Sequence, residues 1–193
     1  MSLIKDLKNF WNFIWHGTSI YSYVAFFIFA IVVLNVVYPL FLFLLSHTVG
    51  INDVVAVVTG SMVHDASVSQ TYYAYMQELG FTPQQLQSFP HNNGLNMGDL
   101  LLVWKKKPEE IKVGDVIVFK MQDYLIIHRV IKIDVVDGEY YYTTKGDHNP
   151  GSIASEINIT YDRVKGVAGN RIPFLGIPKM LLTNFLGAVR NVL

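Results

Sequence analysis

The chain has 193 residues, which is enough for a single folded domain with its own core and a membrane anchor. Fifteen basic and fifteen acidic residues balance to a formal charge of zero, so nucleic acid is not an expected partner. The absence of cysteine excludes a disulfide framework, a thiolate zinc site and a cysteine nucleophile.

The first predicted element is a membrane-spanning helix. No Asp, Glu, Lys or Arg occurs between Lys8 and Asp53, and the centre of this stretch, residues 23–45, is almost wholly apolar. About 20 apolar residues suffice to cross a bilayer, whereas the apolar part of a cleavable signal peptide has about 7–15. We therefore expect a retained anchor within residues 1–50 and a β-rich domain over residues 51–193.

The positions of the lysines indicate how the anchor is oriented. Lys5 and Lys8 precede it, and no further Lys or Arg occurs until Lys105. Because cytoplasmic flanks of membrane helices are enriched in Lys and Arg, this asymmetry favours an N-terminus inside the cell. The sequence thus predicts a single-pass protein of the cell membrane whose folded domain lies on the extracytoplasmic face.

A strand and a helical insertion follow the anchor. The β-branched run at residues 54–58 predicts a short buried strand. Residues 64–97 are polar and aromatic, and we interpret them as a helical insertion. Its first helix, over residues 69–79, ends before a glycine, and its second begins at Thr82 with a capping-box pattern.

The rest of the chain predicts a mainly β fold. Asp137-Gly138 is a strong hairpin signal, because a two-residue turn needs positive φ. At the C-terminus Leu181, Phe185 and Val189 share one helical face, which predicts an amphipathic helix. The further strands are expected at residues 99–104, 115–119, 124–136, 139–144 and 161–167.

Three short motifs carry residues that could perform chemistry. They are Thr-Gly-Ser-Met at residues 59–62, Ile-Ile-His-Arg-Val at 126–130 and Lys-Gly-Asp-His-Asn at 145–149. Taken singly, each has a structural explanation as a turn or a core strand. Together they supply serine, histidine and aspartate, the set in which an imidazole takes the proton of a hydroxyl and a carboxylate orients the ring.

The order of these motifs resembles the successive conserved boxes of type I signal peptidases, of the archaeal and endoplasmic-reticulum kind. The resemblance also includes M-G-D-L-L-L-V and V-G-D-V-I-V-F-K, and it extends from Val54 to Gly169. It implies that Ser61 is the nucleophile and that His128, which stands where bacterial members have lysine, is the general base.

Two further roles follow from the same resemblance. Thr59 matches a hydroxyl position that helps to bind the oxyanion together with the amide of Ser61, although β-propensity also explains a threonine there. Asp147 matches the family's Gly-Asp box and is our choice for the third triad member. Many relatives have a second aspartate six residues later, where this chain has Ile153, and Asp162 is therefore kept in reserve.

The resemblance implies a membrane-bound serine endopeptidase that removes signal peptides from exported preproteins after small residues. It requires no metal or organic cofactor. The expected partners are signal peptides, the lipid bilayer and the protein-export channel. Two alternatives remain at this point. One is a catalytically inactive, membrane-tethered β domain that binds partners. The other is a metal-dependent hydrolase that would use His64, Asp65, His128 and His148, but the sequence contains no metal-ligand spacing such as H-E-x-x-H to support it.

Overall fold

The structure is a computed structural model that describes residues 2–48 and 50–181. The chain divides into two compact units, Met1–Leu45 and Ser46–Leu193, slightly before the boundary predicted at residue 50. The helix predicted from Leu181 onward lies, apart from its first residue, outside the described part. Residues 177–181, which lead into it, are helical.

The first unit is helical. Its elements are α1 (Ser2–His16), α2 (Ile20–Val32), a π-helical segment (Val33–Val37) and α3 (Tyr38–Thr48), which extends beyond the unit's end. Ser19 caps α2 by accepting a hydrogen bond from the amide of Ser22. The turn before it is tight, because a Cβ on Gly17 would lie 2.4 Å from the carbonyl oxygen of Phe13.

Aromatic side chains hold α1 against α2. The ring centroids of Trp11 and Phe29 are 6.1 Å apart, and those of Trp15 and Phe26 are 5.3 Å apart. Beyond this contact the stretch Ile20–Val37 is largely exposed, and it is long and apolar enough to cross a membrane.

The second unit is built on a seven-stranded antiparallel sheet, which confirms the predicted mainly β fold. The strands lie in the order β1-β2-β7-β3-β4-β5-β6. Their bounds are β1 Ile51–Ala56, β2 Leu100–Trp104, β3 Val116–Met121, β4 Tyr124–Val136, β5 Glu139–Lys145, β6 Ile159–Thr160 and β7 Val164–Ile172.

Turn chemistry explains two connections of the sheet. Asp137 and Gly138 join β4 to β5 with φ values of 53° and 84°, as the hairpin signal predicts. The strand predicted over residues 161–167 begins later, because Tyr161–Arg163 forms a 3₁₀ turn that separates β6 from β7.

Short helices occupy the stretch between β1 and β2. A π-helical segment, Ser69–Tyr73, leads into α4 (Ala74–Glu78), and α5 spans Pro83–Ser88. Thr82 and Gln85 form the capping box that their spacing predicts. Tyr72, Met76 and Leu86 from these helices pack with Ile131 of β4, and this cluster fixes the helices to the sheet.

Candidate active site

Ser61 lies in a turn that follows β1, and contacts of the residues before and after it fix this turn. The amide of Val57 donates to the carbonyl of Asp99 at 2.9 Å, which continues the pairing of β1 beyond its last residue. Met62 is only 1% exposed and packs in a core cluster with Val55. With its neighbours fixed in this way, the half-buried Ser61 hydroxyl has a defined position.

His128 comes from β4, where it pairs with Ile117 of β3. It is 8% exposed, and its Nε2 lies 3.0 Å from Oγ of Ser61. The structure therefore brings together the two residues that the sequence predicts as nucleophile and base, although they are far apart along the chain. A hydroxyl at this distance can pass its proton to an imidazole nitrogen.

The carboxylate at the other ring nitrogen belongs to Glu156. Its Oε1 is hydrogen-bonded to Nδ1 of His128, and its Oε2 accepts a hydrogen bond of 2.8 Å from the amide of Ile153. Glu156 lies in the 3₁₀ turn Ala154–Glu156 and is 1% exposed. The position that we predicted for Asp147, with Asp162 in reserve, is thus occupied by a residue that the sequence did not single out.

The contact with Glu156 decides which histidine nitrogen carries the proton. A carboxylate can only accept, so Nδ1 of His128 donates to it. Nε2 is then an acceptor for the hydroxyl hydrogen of Ser61. This is the tautomer that a histidine needs in order to act as a general base toward serine.

Asp147 is engaged elsewhere. Arg129 donates to both of its carboxylate oxygens, at 2.9 and 2.7 Å, and Nε2 of His64 donates at 2.8 Å. Burial alone would raise the pKa of Asp147, but the Arg129 charge and the hydrogen bonds from His64 and Arg129 outweigh it and lower the pKa. Asp162 lies in the Tyr161–Arg163 turn and lines a different cavity.

Thr59 stands beside the nucleophile. Its Oγ1 is 3.3 Å from Oγ of Ser61. A hydroxyl in this place can turn toward an oxygen that is bound near Ser61, as the predicted oxyanion role requires. The distance places the Thr59 hydroxyl within reach of such an oxygen, and the oxyanion role stays a prediction.

A cavity of about 290 Å³ opens at the pair. Three strands separate β1 from β4 in the sheet order, so the sheet must curl for both to reach the same cavity. Apolar side chains form most of its wall. The lining residues are Asp53, Val55, Ala56, Val57, Val58, Thr59, Ser61, Met62, Asp123, Tyr124, Leu125, Ile126, Ile127, His128 and Lys179.

The residues considered for a metal site do not form one cluster, and two of them, Asp65 and His148, lie 3.7 Å apart between Oδ1 and Nδ1. His64 binds Asp147, and His128 lies between Ser61 and Glu156. Across residues 2–48 and 50–181, no group of three or more His, Asp or Glu side chains is placed to hold a metal ion.

The sequence could have indicated Glu156 as the partner of His128 only if glutamates as well as aspartates had been considered. The resemblance places the second aspartate at the position of Ile153, and Glu156 is the next acidic residue after Asp147. The glutamate side chain is one methylene group longer than that of aspartate, and the 3₁₀ turn Ala154–Glu156 places its backbone so that the carboxylate contacts His128. A search for any carboxylate between the Gly-Asp box and the next strand would have included it.

Known proteins with a similar sequence support the resemblance. A stretch of 96 residues is 31% identical to the signal peptidase complex catalytic subunit SEC11C of Homo sapiens, Canis lupus familiaris and Mus musculus. The match covers 46% of this chain and 50% of each relative, so the chain spans about half the length of the curated relatives it matches. No family model matches the chain. The predicted resemblance to signal peptidases is confirmed by these relatives.

Proposed function

We propose that this chain is a membrane-bound serine endopeptidase that removes signal peptides from exported preproteins after small residues. The observation that carries the proposal is the 3.0 Å contact between Ser61 and His128, with Glu156 on the far side of the ring. The SEC11C relatives, which are named as catalytic subunits of a signal peptidase complex, supply the substrate class.

The reaction follows from the arrangement of the three side chains. Oγ of Ser61 attacks the scissile carbonyl carbon as Nε2 of His128 takes the hydroxyl proton. The imidazolium that forms is stabilised by the Glu156 carboxylate. The C–N bond then breaks, the same proton passes to the leaving amine, and an ester on Ser61 remains. A water molecule hydrolyses that ester by the same proton transfers in a second cycle.

In both steps negative charge develops on the oxygen of the scissile carbonyl, and hydrogen-bond donors are needed to stabilise it. We assign this role to the hydroxyl of Thr59 and the amide of Ser61, because Thr59 Oγ1 lies 3.3 Å from the nucleophile. One such donor contributes about 3 kcal/mol to transition-state stabilisation.

Two strand edges that have no neighbouring strand in the described part of the chain support binding of an extended peptide, although Lys179 donates to the carbonyl of Val54 on one of them. β1 is the terminal strand of the sheet, and residues 124–128 of β4 pair with β3 but precede the pairing with β5. Both edges line the cavity that holds Ser61. A peptide strand placed there can form main-chain hydrogen bonds while its side chains contact apolar walls.

The membrane places enzyme and substrate in one layer. We assign Ile20–Val37 to the bilayer as a single anchor, with the folded domain on the extracytoplasmic face, because its length and apolar composition suit a span. A signal peptide whose own apolar segment lies in the same bilayer is thereby concentrated near Ser61. The bilayer and the protein-export channel are the corresponding partners.

The proposal is tested by cleavage of a preprotein by the purified full-length protein in detergent. Ser61→Ala and His128→Ala should each lower turnover by roughly four to six orders of magnitude, because the nucleophile or its base is removed. Ser88→Ala, which changes a serine that binds its own helix carbonyl, is the matched control and should cleave like the unaltered protein. Undiminished cleavage by Ser61→Ala would contradict the role of Ser61, and an unaltered protein that cleaves nothing would favour the inactive binding domain.

A further inference from the structure

Lys145 is a buried ammonium group with no part in the proton transfers above. It is the last residue of β5 and is 2% exposed. Its Nζ donates to the carbonyl oxygens of Gly146, Asp147 and Asn149, at 2.9, 3.3 and 2.7 Å. An ammonium has three N–H groups, so all of its donors are used by one short loop.

This loop, residues 146–149, touches both Ser61 and His128. The amide of His148 donates to the carbonyl oxygen of Ser61 at 2.9 Å. A Cβ placed on Gly146 would lie 2.8 Å from Nε2 of His128 and 2.8 Å from the carbonyl oxygen of Ser61. Small movements of the loop would therefore be transmitted to the nucleophile and the base.

The charged groups around Lys145 explain why it can be ionised there. The carboxylates of Asp147 and Glu156 favour the ammonium, and Arg129 on the paired strand opposes it. The ring of Tyr75 lies 5.2 Å from Nζ. Burial is the largest influence and lowers the pKa of Lys145 to about 8, so the ammonium is the main form at neutral pH.

We propose that Lys145 is a positioning residue, whose ammonium holds loop 146–149 against Ser61 and His128 in the arrangement that the reaction requires. The inference rests on the proposed function, because it concerns the same catalytic pair. Positioning errors of about 1 Å can lower rates about 100-fold, so a loop that contacts both groups has a large effect on turnover.

Deprotonation of Lys145 should affect turnover and stability differently. Above pH 8 the neutral amine has two N–H groups for three carbonyls, so we expect turnover to fall. The folded pKa lies below that of an unfolded lysine, so between about 8 and 10.5 the unfolded chain binds more protons. In that pH range this group makes folding more favourable as pH rises, so loss of stability does not explain a loss of turnover.

The test is a pH profile of cleavage for the full-length protein and Lys145→Met, using a synthetic peptide with an apolar segment followed by Ala-x-Ala. We expect kcat of Lys145→Met at pH 7 to be about 10- to 100-fold lower, with KM within about twofold. The unaltered protein should lose turnover with a midpoint near pH 8, and Lys145→Met should lack this alkaline limb. Lys132→Met is the matched control, because it changes a lysine on β4 whose side chain is 65% exposed. It should retain the kcat of the unaltered protein at pH 7 and the loss of turnover near pH 8.

A second measurement does not depend on cleavage. Amide hydrogen exchange over residues 146–149 should be at least about tenfold faster in Lys145→Met than in Lys132→Met, because the loop loses its three donors. Equal exchange, or an unaltered protein whose kcat is constant from pH 7 to 9.5, would overturn the role of Lys145. An unaltered protein that cleaves nothing would instead contradict the proposed function, and the exchange experiment would still decide whether Lys145 holds the loop. If Lys145→Met does not fold, the pH profile of the unaltered protein decides the question.

Discussion

Both carboxylate oxygens of Glu156 are used, one by His128 and one by the amide of Ile153. The amide contact fixes the carboxylate, and the fixed carboxylate keeps the proton of the imidazole on Nδ1. The ring is therefore held in one orientation and in one tautomer. A similar role is played by aspartate or glutamate in serine hydrolases of unrelated folds, so the glutamate itself poses no chemical difficulty.

Glu156→Gln should lower kcat by about 10³- to 10⁴-fold with little change in KM. The amide oxygen of glutamine can still accept from Ile153, which leaves its NH₂ group facing Nδ1 of His128 and favours the wrong tautomer. Steady-state cleavage of a peptide substrate measures the effect. Asp162→Asn is the matched control, since Asp162 was the reserve candidate. A comparable loss in Asp162→Asn, or none in Glu156→Gln, would contradict the assignment of the third residue.

At the scale of elements, the ion pair of Arg129 and Asp147 joins the sheet to the helical segment between β1 and β2. Besides Asp147, the Arg129 guanidinium donates to the carbonyls of Pro90 and His91 at 2.7 and 3.0 Å. Both side chains are almost fully buried. Asp147 also binds His64, at the beginning of that segment. The carboxylate of the Gly-Asp box thus connects elements instead of orienting the ring of His128.

Asp147→Asn should lower the free energy of unfolding by about 3–5 kcal/mol, because Arg129 would retain a buried charge without a carboxylate partner. Denaturant unfolding at pH 7 measures the loss. Asp134→Asn, in an exposed pair with Lys132, is the control and should change stability by less than about 1 kcal/mol. Equal stabilities of the two variants would show that the buried pair does not hold these elements together.

Because the pKa of Asp147 is lowered in the folded protein, its contribution to the free energy of unfolding depends on pH. The ionised carboxylate contributes fully above the pKa of an unfolded aspartate, near 3.9, and its contribution is lost as pH falls from there through the lower folded pKa. Acid should therefore weaken the unaltered protein more than Asp147→Asn.

Local patterns predict elements better than they predict which residues meet. The Asp137-Gly138 hairpin and the Thr82 capping box depend on neighbouring residues, and both appear where the sequence indicates them. The contact between His128 and Glu156 depends instead on how the loop after β5 folds. No local pattern distinguishes Glu156 in this loop from Asp162 in the turn after β6, so the partner of His128 was not predictable from spacing.

At the scale of the whole molecule, strand order decides where the site forms. The sequence predicts the strands other than the two-residue β6, but it does not predict that β7 lies between β2 and β3. This order, with the curl of the sheet, brings the outer edge of β1 and the start of β4 to one cavity. Ser61 and His128 meet there because Ser61 follows β1 and His128 belongs to β4.

The N-terminal unit contains the apolar stretch that hydropathy predicts, and a separate helix precedes it. Its helical path is broken between α1 and α2, and the aromatic residues Trp11 and Trp15 belong to the first helix and contact the second. The apolar stretch Ile20–Val37 begins after this break and meets the length requirement for a span.

The most direct measurement of the central claim is covalent labelling of the full-length protein with a serine-directed acylating probe, with the adduct located by mass spectrometry. We predict one adduct, on Ser61, and a labelling rate that falls by about 10³-fold or more in His128→Asn, because the hydroxyl then lacks its base. Labelling spread over several serines, or an unchanged rate in His128→Asn, would contradict the account.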